Sequence, residues 1–241
     1  MSRVLVIAAA VIAGAFVFNI ASQPAPLASR IGSSPVVVEL FTSQGCSSCP
    51  PADELLGRIA RDASLRGRVI PLAFHVDYWN HLGWRDPFSS AEWSERQRAY
   101  VQAMGLSGAY TPQAVVGGKR EFVGSNEQQM FSAIEEVSKK KSTASVSIAN
   151  DVARIDAPRE LELIALSVEN AQTTNVARGE NGGRTLTNYA IVRKLTRVGA
   201  VKGKIEKPLP AGTNVVLLQD AKTMEIWSAA VSAAVGGRLA R

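Results

Sequence analysis

The chain contains two cysteines, Cys46 and Cys49, and their spacing constrains its fold more than any other feature of the sequence. Two serines separate them, so a disulfide between them closes a very short loop. In the chain-entropy view, such a loop constrains the unfolded chain less than a long one does. The pair is therefore a weak structural cross-link and is better suited to act as a reversible redox couple.

The segments around the cysteines predict a strand followed by a helix. Residues 36–41 form a short, mostly apolar and β-branched run, which is typical of a buried central strand. A helix is expected from residue 46 or 47 to residue 61, since its apolar residues have helical spacing and Pro50 and Pro51 fall in its first turn. The N–H groups and dipole at this helix N-terminus would stabilise a Cys46 thiolate.

Further elements follow at spacings typical of an α/β fold. They are a strand over residues 69–76, a helix over 90–104, a hairpin over 114–124 and a helix capped by Ser125 or Asn126. A Cys-x-x-Cys motif at the first strand–helix junction of such a series indicates a thioredoxin-like domain. We therefore predict an α/β fold class in which residues 35–141 form a thioredoxin-like domain.

Resemblance to the thioredoxin fold gives roles to three more residues. In that fold a cis-proline precedes the hairpin and packs against the dithiol, and Thr111-Pro112 occupies this place. The Thr111 backbone is then expected to pair with an extended substrate peptide. The fold often also has a buried acid before the cysteines, which shuttles the proton of the resolving cysteine. Glu39 is the candidate, although it lies one residue further from Cys46 than in the common pattern, and a solvent-facing carboxylate at a strand edge is the alternative.

His75 ends the second predicted strand and could lie near the dithiol. A histidine there could tune the thiolate, or it could join Cys46 and Cys49 as a ligand to a soft metal such as Cu(I). The alternative is a hydrogen-bonded, partly buried histidine. The same alternatives apply to His81, in the aromatic loop that follows.

The sequence changes in texture after Lys141. Polar and Gly-rich turns separate short strand-like runs, which predicts a β-rich, sandwich-like part over residues 142–241. The runs cover residues 143–148, 161–168, 189–198 and 215–218. The Ala- and Val-rich tail after Trp227 is compatible with a strand or a helix.

The first 30 residues have the layout of an export signal. Arg3 supplies a positive charge, residues 4–18 are apolar, and a Ser-Gln-Pro-Ala-Pro stretch follows. The segment is either removed, or retained as a membrane tether through residues 4–20. Both alternatives predict a periplasmic or secreted protein, in the second case anchored to the membrane.

The formal net charge of +6 does not indicate a nucleic-acid partner. The basic residues are scattered, and the single run, Lys139-Lys140-Lys141, follows a predicted helix as a solvated linker would. No basic stripe alternates with aromatic residues. Nucleic-acid binding is therefore not expected.

The cysteine segment identifies a family resemblance. Residues 38–53, from Val38 to Asp53, closely resemble the signature of the domain-of-unknown-function 1223 family, which comprises secreted bacterial proteins with a thioredoxin-like domain. The resemblance implies a thioredoxin-like domain followed by a β-rich part, and no established reaction. Thr187-Asn188-Tyr189 departs from the pattern, where a His-containing stretch is expected. Further matching segments are residues 75–79, 82–84, 110–113 and 182–186.

Three functions remain open at this stage. The first is a thiol–disulfide oxidoreductase of the cell envelope, in which Cys46 attacks, Cys49 resolves and Thr111-Pro112 holds a protein thiol or disulfide partner. It would need no cofactor, because the Cys46–Cys49 disulfide itself is redox-active. The second is Cu(I) handling by Cys46, Cys49 and His75. The third is a non-catalytic binding module whose dithiol is vestigial.

Overall fold

The computed structural model describes residues 34–232, and within them nine strands and three helices form a mixed α/β structure. The α/β class is thus confirmed. The export signal or tether predicted in residues 1–30 lies outside the described residues. No helix within residues 34–232 is long and apolar enough to cross a membrane. The helices are α1 (Pro50–Arg61), α2 (Ala91–Met104) and α3 (Glu127–Ser138); the strands are β1 (Val36–Thr42), β2 (Val69–His75), β3 (Gln113–Val116), β4 (Arg120–Val123), β5 (Ser145–Ala149), β6 (Val152–Asn175), β7 (Thr185–Pro208), β8 (Val215–Gln219) and β9 (Ile226–Val231).

All nine strands belong to one sheet. Its order is β4-β3-β1-β2-β7-β6-β8-β9, and β5 pairs with β6 outside this path. β1 is parallel to β2 and antiparallel to β3, and β2 is parallel to β7 through the pair Ala73 and Ile191. The strands before and after Lys141 therefore share a sheet, and residues of β7 lie beside the end of β2.

Strand β1 is buried on both faces, which explains its nearly continuous apolar sequence. Val38 and Leu40 face α1 and α3 in one apolar cluster. Val37 and Phe41 face the other side of the sheet, where Tyr100 of α2 packs. One face of β1 thus packs against α1 and α3 and the other against α2, and the dithiol motif leads directly into α1.

The first helix begins at Pro50, and the start predicted at residue 46 or 47 is wrong. Cys49 is the N-cap residue, and the segment before it is a turn closed by a hydrogen bond of 3.2 Å from the Cys49 N–H to the Cys46 carbonyl oxygen. Pro50 and Pro51 have no N–H groups to donate to the carbonyl oxygens of residues 46 and 47. A helix can therefore not extend back through the motif.

The second half of the described chain is built around a long hairpin. β6 and β7 contain 24 residues each and pair along their length, with β-bulges. The strands predicted over residues 161–168 and 189–198 are the central parts of this hairpin. The segment after Trp227 continues β9 to Val231, so the strand interpretation of its first residues is correct.

Candidate functional site

Cys46 and Cys49 form a disulfide immediately before α1. Both residues are 0% exposed, whereas Ser47 and Ser48 between them are exposed. The Ser48 hydroxyl oxygen lies 3.4 Å from the Cys46 sulfur. The disulfide therefore lies just below the surface, under a turn whose serine residues are in contact with solvent.

Few backbone N–H groups remain available to a thiolate at this helix terminus. Pro50 and Pro51 have none, and the N–H groups of Ala52 and Asp53 donate to the Cys49 carbonyl oxygen. The sequence predicted stabilisation by the N–H groups of a first helical turn. In the structure, the Ser48 hydroxyl is a polar group within hydrogen-bond distance of the Cys46 sulfur.

Thr111 and Pro112 lie next to the turn that carries the disulfide. The peptide bond between them is cis, as the resemblance implied. The pairing of Gln113 with Phe41 places them at the end of β1, where the chain enters the turn. The Trp79 indole nitrogen donates to the Thr111 hydroxyl oxygen at 2.8 Å, linking this segment to the aromatic loop after β2.

The same tryptophan packs against the dithiol turn. A Cβ atom added at Gly45 would lie only 3.0 Å from the Cβ atom of Trp79, which is closer than ordinary van der Waals contact. Glycine at this position therefore allows the aromatic loop to approach the residue directly before Cys46.

Glu39 lies away from the dithiol, on the face of the sheet covered by α2. It is 0% exposed and forms an ion pair with Arg96 at 2.7 Å, and Tyr100 donates a short hydrogen bond to it. It is therefore not the solvent-facing carboxylate that was one alternative. Its position also separates it from α1, so the structure does not bring it to Cys49 as a proton carrier.

A different carboxyl group lies one helical turn after Cys49. Asp53 is buried, and its backbone N–H donates to the Cys49 carbonyl oxygen at 3.1 Å. Burial raises the pKa of Asp53 to about 7, against the opposing effects of the His75 charge and of the Thr42 and Asn188 side chains. Asp53 therefore changes its protonation state near neutral pH.

Asp53 belongs to a group of five buried side chains that we call the buried polar cluster. Four of its atoms make no hydrogen bond within residues 34–232: Thr42 Oγ1, Asp53 Oδ1, His75 Nε2 and Asn188 Nδ2. The Thr42 hydroxyl and the Asn188 amide lie close enough to lower the Asp53 pKa without well-aligned hydrogen bonds to Oδ1. Unpaired buried polar groups are costly, and a concentration of them indicates a functional site. The cluster consists of Thr42, Asp53, His75, Asp86 and Asn188.

His75 and Asp86 form the charged part of this cluster. His75 Nδ1 lies 2.7 Å from Asp86 Oδ2, and both side chains are 0% exposed. Burial alone would lower the pKa of His75, but the charge and hydrogen bond of Asp86 and the charge of Asp53 raise it. Burial would raise the pKa of Asp86, but His75 and two backbone N–H groups hold it below its ordinary value. Each partner therefore favours the charged form of the other, imidazolium for His75 and carboxylate for Asp86.

Gln44 connects the dithiol turn to the rest of the site. Its backbone N–H donates to Asp86 Oδ2 at 2.8 Å, and its side-chain nitrogen donates to Asn188 Oδ1 at 2.8 Å. Its side-chain oxygen accepts from the Trp84 indole at 3.2 Å, and its carbonyl oxygen accepts from Asn181 at 2.9 Å. Four hydrogen bonds thus hold the residue two positions before Cys46, two of them from the second half of the chain.

The residues considered as Cu(I) ligands do not form a preassembled metal site in the disulfide form of the protein. Within residues 34–232, no group of three or more His, Cys, Asp or Glu side chains is arranged to hold a metal ion. His75 Nδ1 is bonded to Asp86, and both cysteine sulfurs are in the disulfide. His81 lies in an exposed short 3-10 turn outside the buried polar cluster.

Several residues of the site were not predicted as such from the sequence. Asp53 had been assigned only to the helix dipole, although it lies three residues before Leu56 on the buried side of α1. That position was a usable signal, because an acid on an apolar helix face must be neutral or paired. Gln44, Asp86, Asn181 and Asn188 carry no comparable local signal.

Comparisons with known proteins agree with this description. Residues 37–227 match the model of the family described as protein of unknown function (DUF1223). No curated protein matches the chain significantly. The solved structure of protein AGR_C_4864 from Agrobacterium tumefaciens is 31% identical, with a TM-score of 0.69, and the match covers 82% of this chain and 93% of that one.

A second solved structure, HBP35 of Porphyromonas gingivalis, matches 82% of this chain and 74% of its own chain with a TM-score of 0.55. Its identity is 16%, so this likeness concerns the fold alone. The family match covers most of the chain and includes the disulfide, the buried polar cluster and the β6–β7 hairpin. The chain therefore belongs to the DUF1223 family.

Proposed function

We propose that this protein is a thiol–disulfide oxidoreductase that exchanges electrons with protein thiols or disulfides through Cys46 and Cys49. One observation carries the proposal: a disulfide at the start of α1 lies one helical turn from a buried carboxyl group whose pKa is about 7. A structural cross-link has no need of a titrating acid beside it, whereas thiol exchange requires proton transfer to and from sulfur.

The architecture of the first half supports a thioredoxin-like assignment. The elements β1, α1, β2, α2, β3, β4 and α3 occur in the expected order, and β4, β3, β1 and β2 are neighbours in that sequence in the sheet. The disulfide follows β1, and Thr111-Pro112 precedes β3. An extended partner segment is expected to bind along Thr111, as the thioredoxin resemblance implies.

The reaction balances as two successive exchanges. A partner thiolate attacks the Cys46 sulfur, the Cys46–Cys49 bond breaks, and Cys49 leaves as a thiolate that takes the proton of Asp53. A second partner thiolate attacks the partner sulfur of the mixed disulfide and releases Cys46 as a thiolate. The partner has become a disulfide and the protein a dithiol, with two electrons transferred, and the reverse sequence reduces a partner disulfide.

Asp53 is suited to this role because its carboxyl group is buried. With a pKa of about 7 it is close to half protonated at neutral pH. It can therefore donate a proton to the Cys49 thiolate in one direction and accept it in the other. An acid with an ordinary pKa near 3.8 would be ionised at this pH and could only accept.

We place the reaction in the cell envelope, since the export signal or tether predicted in residues 1–30 leads to a compartment where disulfides persist. The second candidate function is a non-catalytic binding module. The complete burial of both cysteines favours it, because exchange requires access to a sulfur atom.

The reduction potential of the full chain distinguishes the two functions. The protein is equilibrated in glutathione and dithiothreitol buffers, and its free thiols are counted. A reversible two-electron transition between about −270 and −120 mV, the range of exchange catalysts, supports the oxidoreductase. A midpoint below about −300 mV, typical of structural disulfides, supports the binding module. The Cys46→Ser variant is the control, because its single thiol cannot form the internal disulfide and must show no two-thiol transition.

The trapping variant Cys49→Ser adds a second readout. Its Cys46 can form a mixed disulfide with a protein partner but has no resolving thiol. We expect the mixed disulfide to accumulate in this variant and not in Cys46→Ser. Equal accumulation of the mixed disulfide in the two variants, or accumulation in neither, would oppose the assignment of Cys46 as the attacking residue.

A further inference from the structure

The loop between β6 and β7 holds the backbone of the dithiol turn, and we call residues 176–184 the strap. Asn181 lies in the strap and is 1% exposed. Its side-chain nitrogen donates to the carbonyl oxygens of Gln44 and Cys46, both at 2.9 Å. One buried amide thus fixes the two carbonyl groups on either side of Gly45.

A second contact brings a negative charge to the same turn. Glu180 Oε2 accepts a hydrogen bond of 2.9 Å from the backbone N–H of Ser47, the residue directly after Cys46. The Ser47 side chain, and then this backbone hydrogen bond, lower the pKa of Glu180, so its side chain is a carboxylate at neutral pH. The first turn of α1 offers few free N–H donors to Cys46. Glu180 therefore accepts from one of the few N–H groups close to that cysteine.

The strap is a preformed unit. Gly183 N–H donates to the Val176 carbonyl oxygen at 2.8 Å, and Arg184 Nη1 donates to Asn181 Oδ1 at 2.8 Å. Gly179 has a φ of +75°, and a Cβ atom there would lie 3.1 Å from Trp84 Cβ. The strap therefore packs against the aromatic loop and is held together by its own internal hydrogen bonds.

The two contacts respond differently to the redox state of the dithiol. In the disulfide, Cys46 is uncharged, so no negative charge on Cys46 repels the Glu180 carboxylate. After reduction, a Cys46 thiolate places a negative charge in the residue next to the Ser47 N–H. It repels the Glu180 carboxylate and competes with it for the donors of the turn.

We propose that the strap is a redox-sensitive latch, closed over the oxidised dithiol and released when Cys46 becomes a thiolate. It rests on the proposed function and adds to it a means of regulation. The closed strap shields the disulfide, which agrees with the 0% exposure of both cysteines. Release exposes the thiolate to a partner disulfide, and reoxidation closes the strap again.

Two strap variants test this proposal in the full-length protein. The first measurement is the rate at which dithiothreitol reduces the disulfide, giving the protein dithiol and oxidised, cyclic dithiothreitol. We expect Glu180→Gln to be reduced about threefold faster than the wild type, the effect of one exposed charge contact. Asn181→Ala loses both hydrogen bonds to the turn, and also the one from Arg184, and is expected to be reduced about tenfold faster. Glu160→Gln, an exposed change of the same charge on β6, is the matched control and should match the wild-type rate.

The second measurement is amide hydrogen exchange of Ser47 in the wild-type protein, because its N–H donates to Glu180 of the strap. We expect this amide to exchange faster in the reduced protein than in the oxidised one, and this difference to shrink in Glu180→Gln. The Glu180 side chain is exposed, so this variant is expected to fold even if Asn181→Ala does not.

The outcomes separate the latch from the oxidoreductase itself. Wild-type reduction rates in both variants, together with equal exchange in the two redox states, would overturn the latch while leaving a reversible wild-type transition intact. A disulfide that resists reduction in the wild type and yields in the strap variants would remove the oxidoreductase, and with it the release of the strap by reduction. Resistance in every variant would overturn both.

Discussion

Asp53 donates its backbone N–H to the carbonyl oxygen of Cys49 at 3.1 Å, which places Asp53 one helical turn after Cys49. The relationship places a carboxyl group with a pKa of about 7 on the helix that carries the resolving cysteine. This pairing, with the buried groups around it, determines which substitutions should alter thiol exchange.

Asp53→Asn should slow thiol exchange and change its pH profile. The amide cannot donate or accept a proton, so the Cys49 thiolate loses its proton partner. General acid–base groups contribute about a hundredfold or more to rates, and we expect a loss near the lower end of this range. Exchange with a small thiol between pH 5 and 9 should show an inflection near pH 7 in the wild type that is absent in the variant.

The neighbouring acid Glu54 provides the control for this experiment. It lies on the exposed side of the same helical turn. Glu54→Gln should keep the wild-type rate and the inflection. An unchanged profile in Asp53→Asn would remove Asp53 from the proposed proton transfer.

The same residue should govern part of the pH dependence of stability. The pKa of Asp53 is about 7 in the folded protein and 3.8 by its ordinary value, so the folded state binds more protons between these pH values. Its contribution is therefore complete below about pH 4 and is lost as the pH rises through 7. The change corresponds to a free energy of unfolding on the order of 4 kcal/mol.

Denaturant unfolding of the wild type and Asp53→Asn at pH 4 and pH 8 checks this sign. We expect the variant to gain stability relative to the wild type as the pH rises. A difference that stays constant across this range would show that Asp53 has no raised pKa in the folded protein.

Local patterns in the sequence predicted the first half of the fold well. The apolar run of β1, the hairpin around Gly117-Gly118 and the cap of α3 all depend on residues close in sequence. The cis bond at Thr111-Pro112 came from the fold resemblance. The start of α1 was placed too early because the two prolines were treated as tolerated residues and not as the limit of the helix.

The site itself could be predicted only in part. Cys46 and Cys49 identify themselves by spacing, but their partners come from distant parts of the chain. Asn181 bonds to Cys46 across 135 residues, and Asn188 bonds to Gln44 across 144. Such contacts depend on the pairing of β2 with β7, which no local pattern specifies. Glu39 shows the converse, since its acidic character was evident but its partner Arg96 on α2 was not.

The ion pair of Glu39 should be structural. Glu39→Gln leaves the buried Arg96 cation without a carboxylate, which costs about 3 kcal/mol or more of stability. Exchange activity should remain, because Glu39 lies on the opposite face of the sheet from α1. The double variant Glu39→Leu/Arg96→Met removes both charges and should be more stable than Glu39→Gln. A hundredfold loss of exchange in folded Glu39→Gln would instead restore it as the proton carrier.

Ser48 should support the Cys46 thiolate. Its hydroxyl lies 3.4 Å from the Cys46 sulfur, and a hydrogen bond to a charged group contributes about 1.5–3 kcal/mol. We expect Ser48→Ala to reduce the alkylation rate of the reduced protein at pH 7 about tenfold. Ser47→Ala is the matched control, because the Ser47 hydroxyl interacts with the Glu180 carboxylate and not with the Cys46 sulfur. Equal rates in the two variants would show that the hydroxyl does not act on the thiolate.

Asp86→Asn should be most destabilising at intermediate pH. The raised pKa of His75 makes the contribution of the pair complete below about pH 6.5 and lost as the pH rises through the folded value. The lowered pKa of Asp86 makes that contribution present above about pH 3.8 and lost as the pH falls through its folded value. Between these limits, breaking the buried pair is expected to cost about 3–5 kcal/mol. Denaturant unfolding at pH 3, 6 and 9 measures the difference between wild type and variant, with exposed Glu95→Gln as the control. A cost at pH 6 that is no larger than at pH 3 and pH 9 would mean that His75 and Asp86 are not paired as ions, and the charged part of the buried polar cluster would have to be assigned anew.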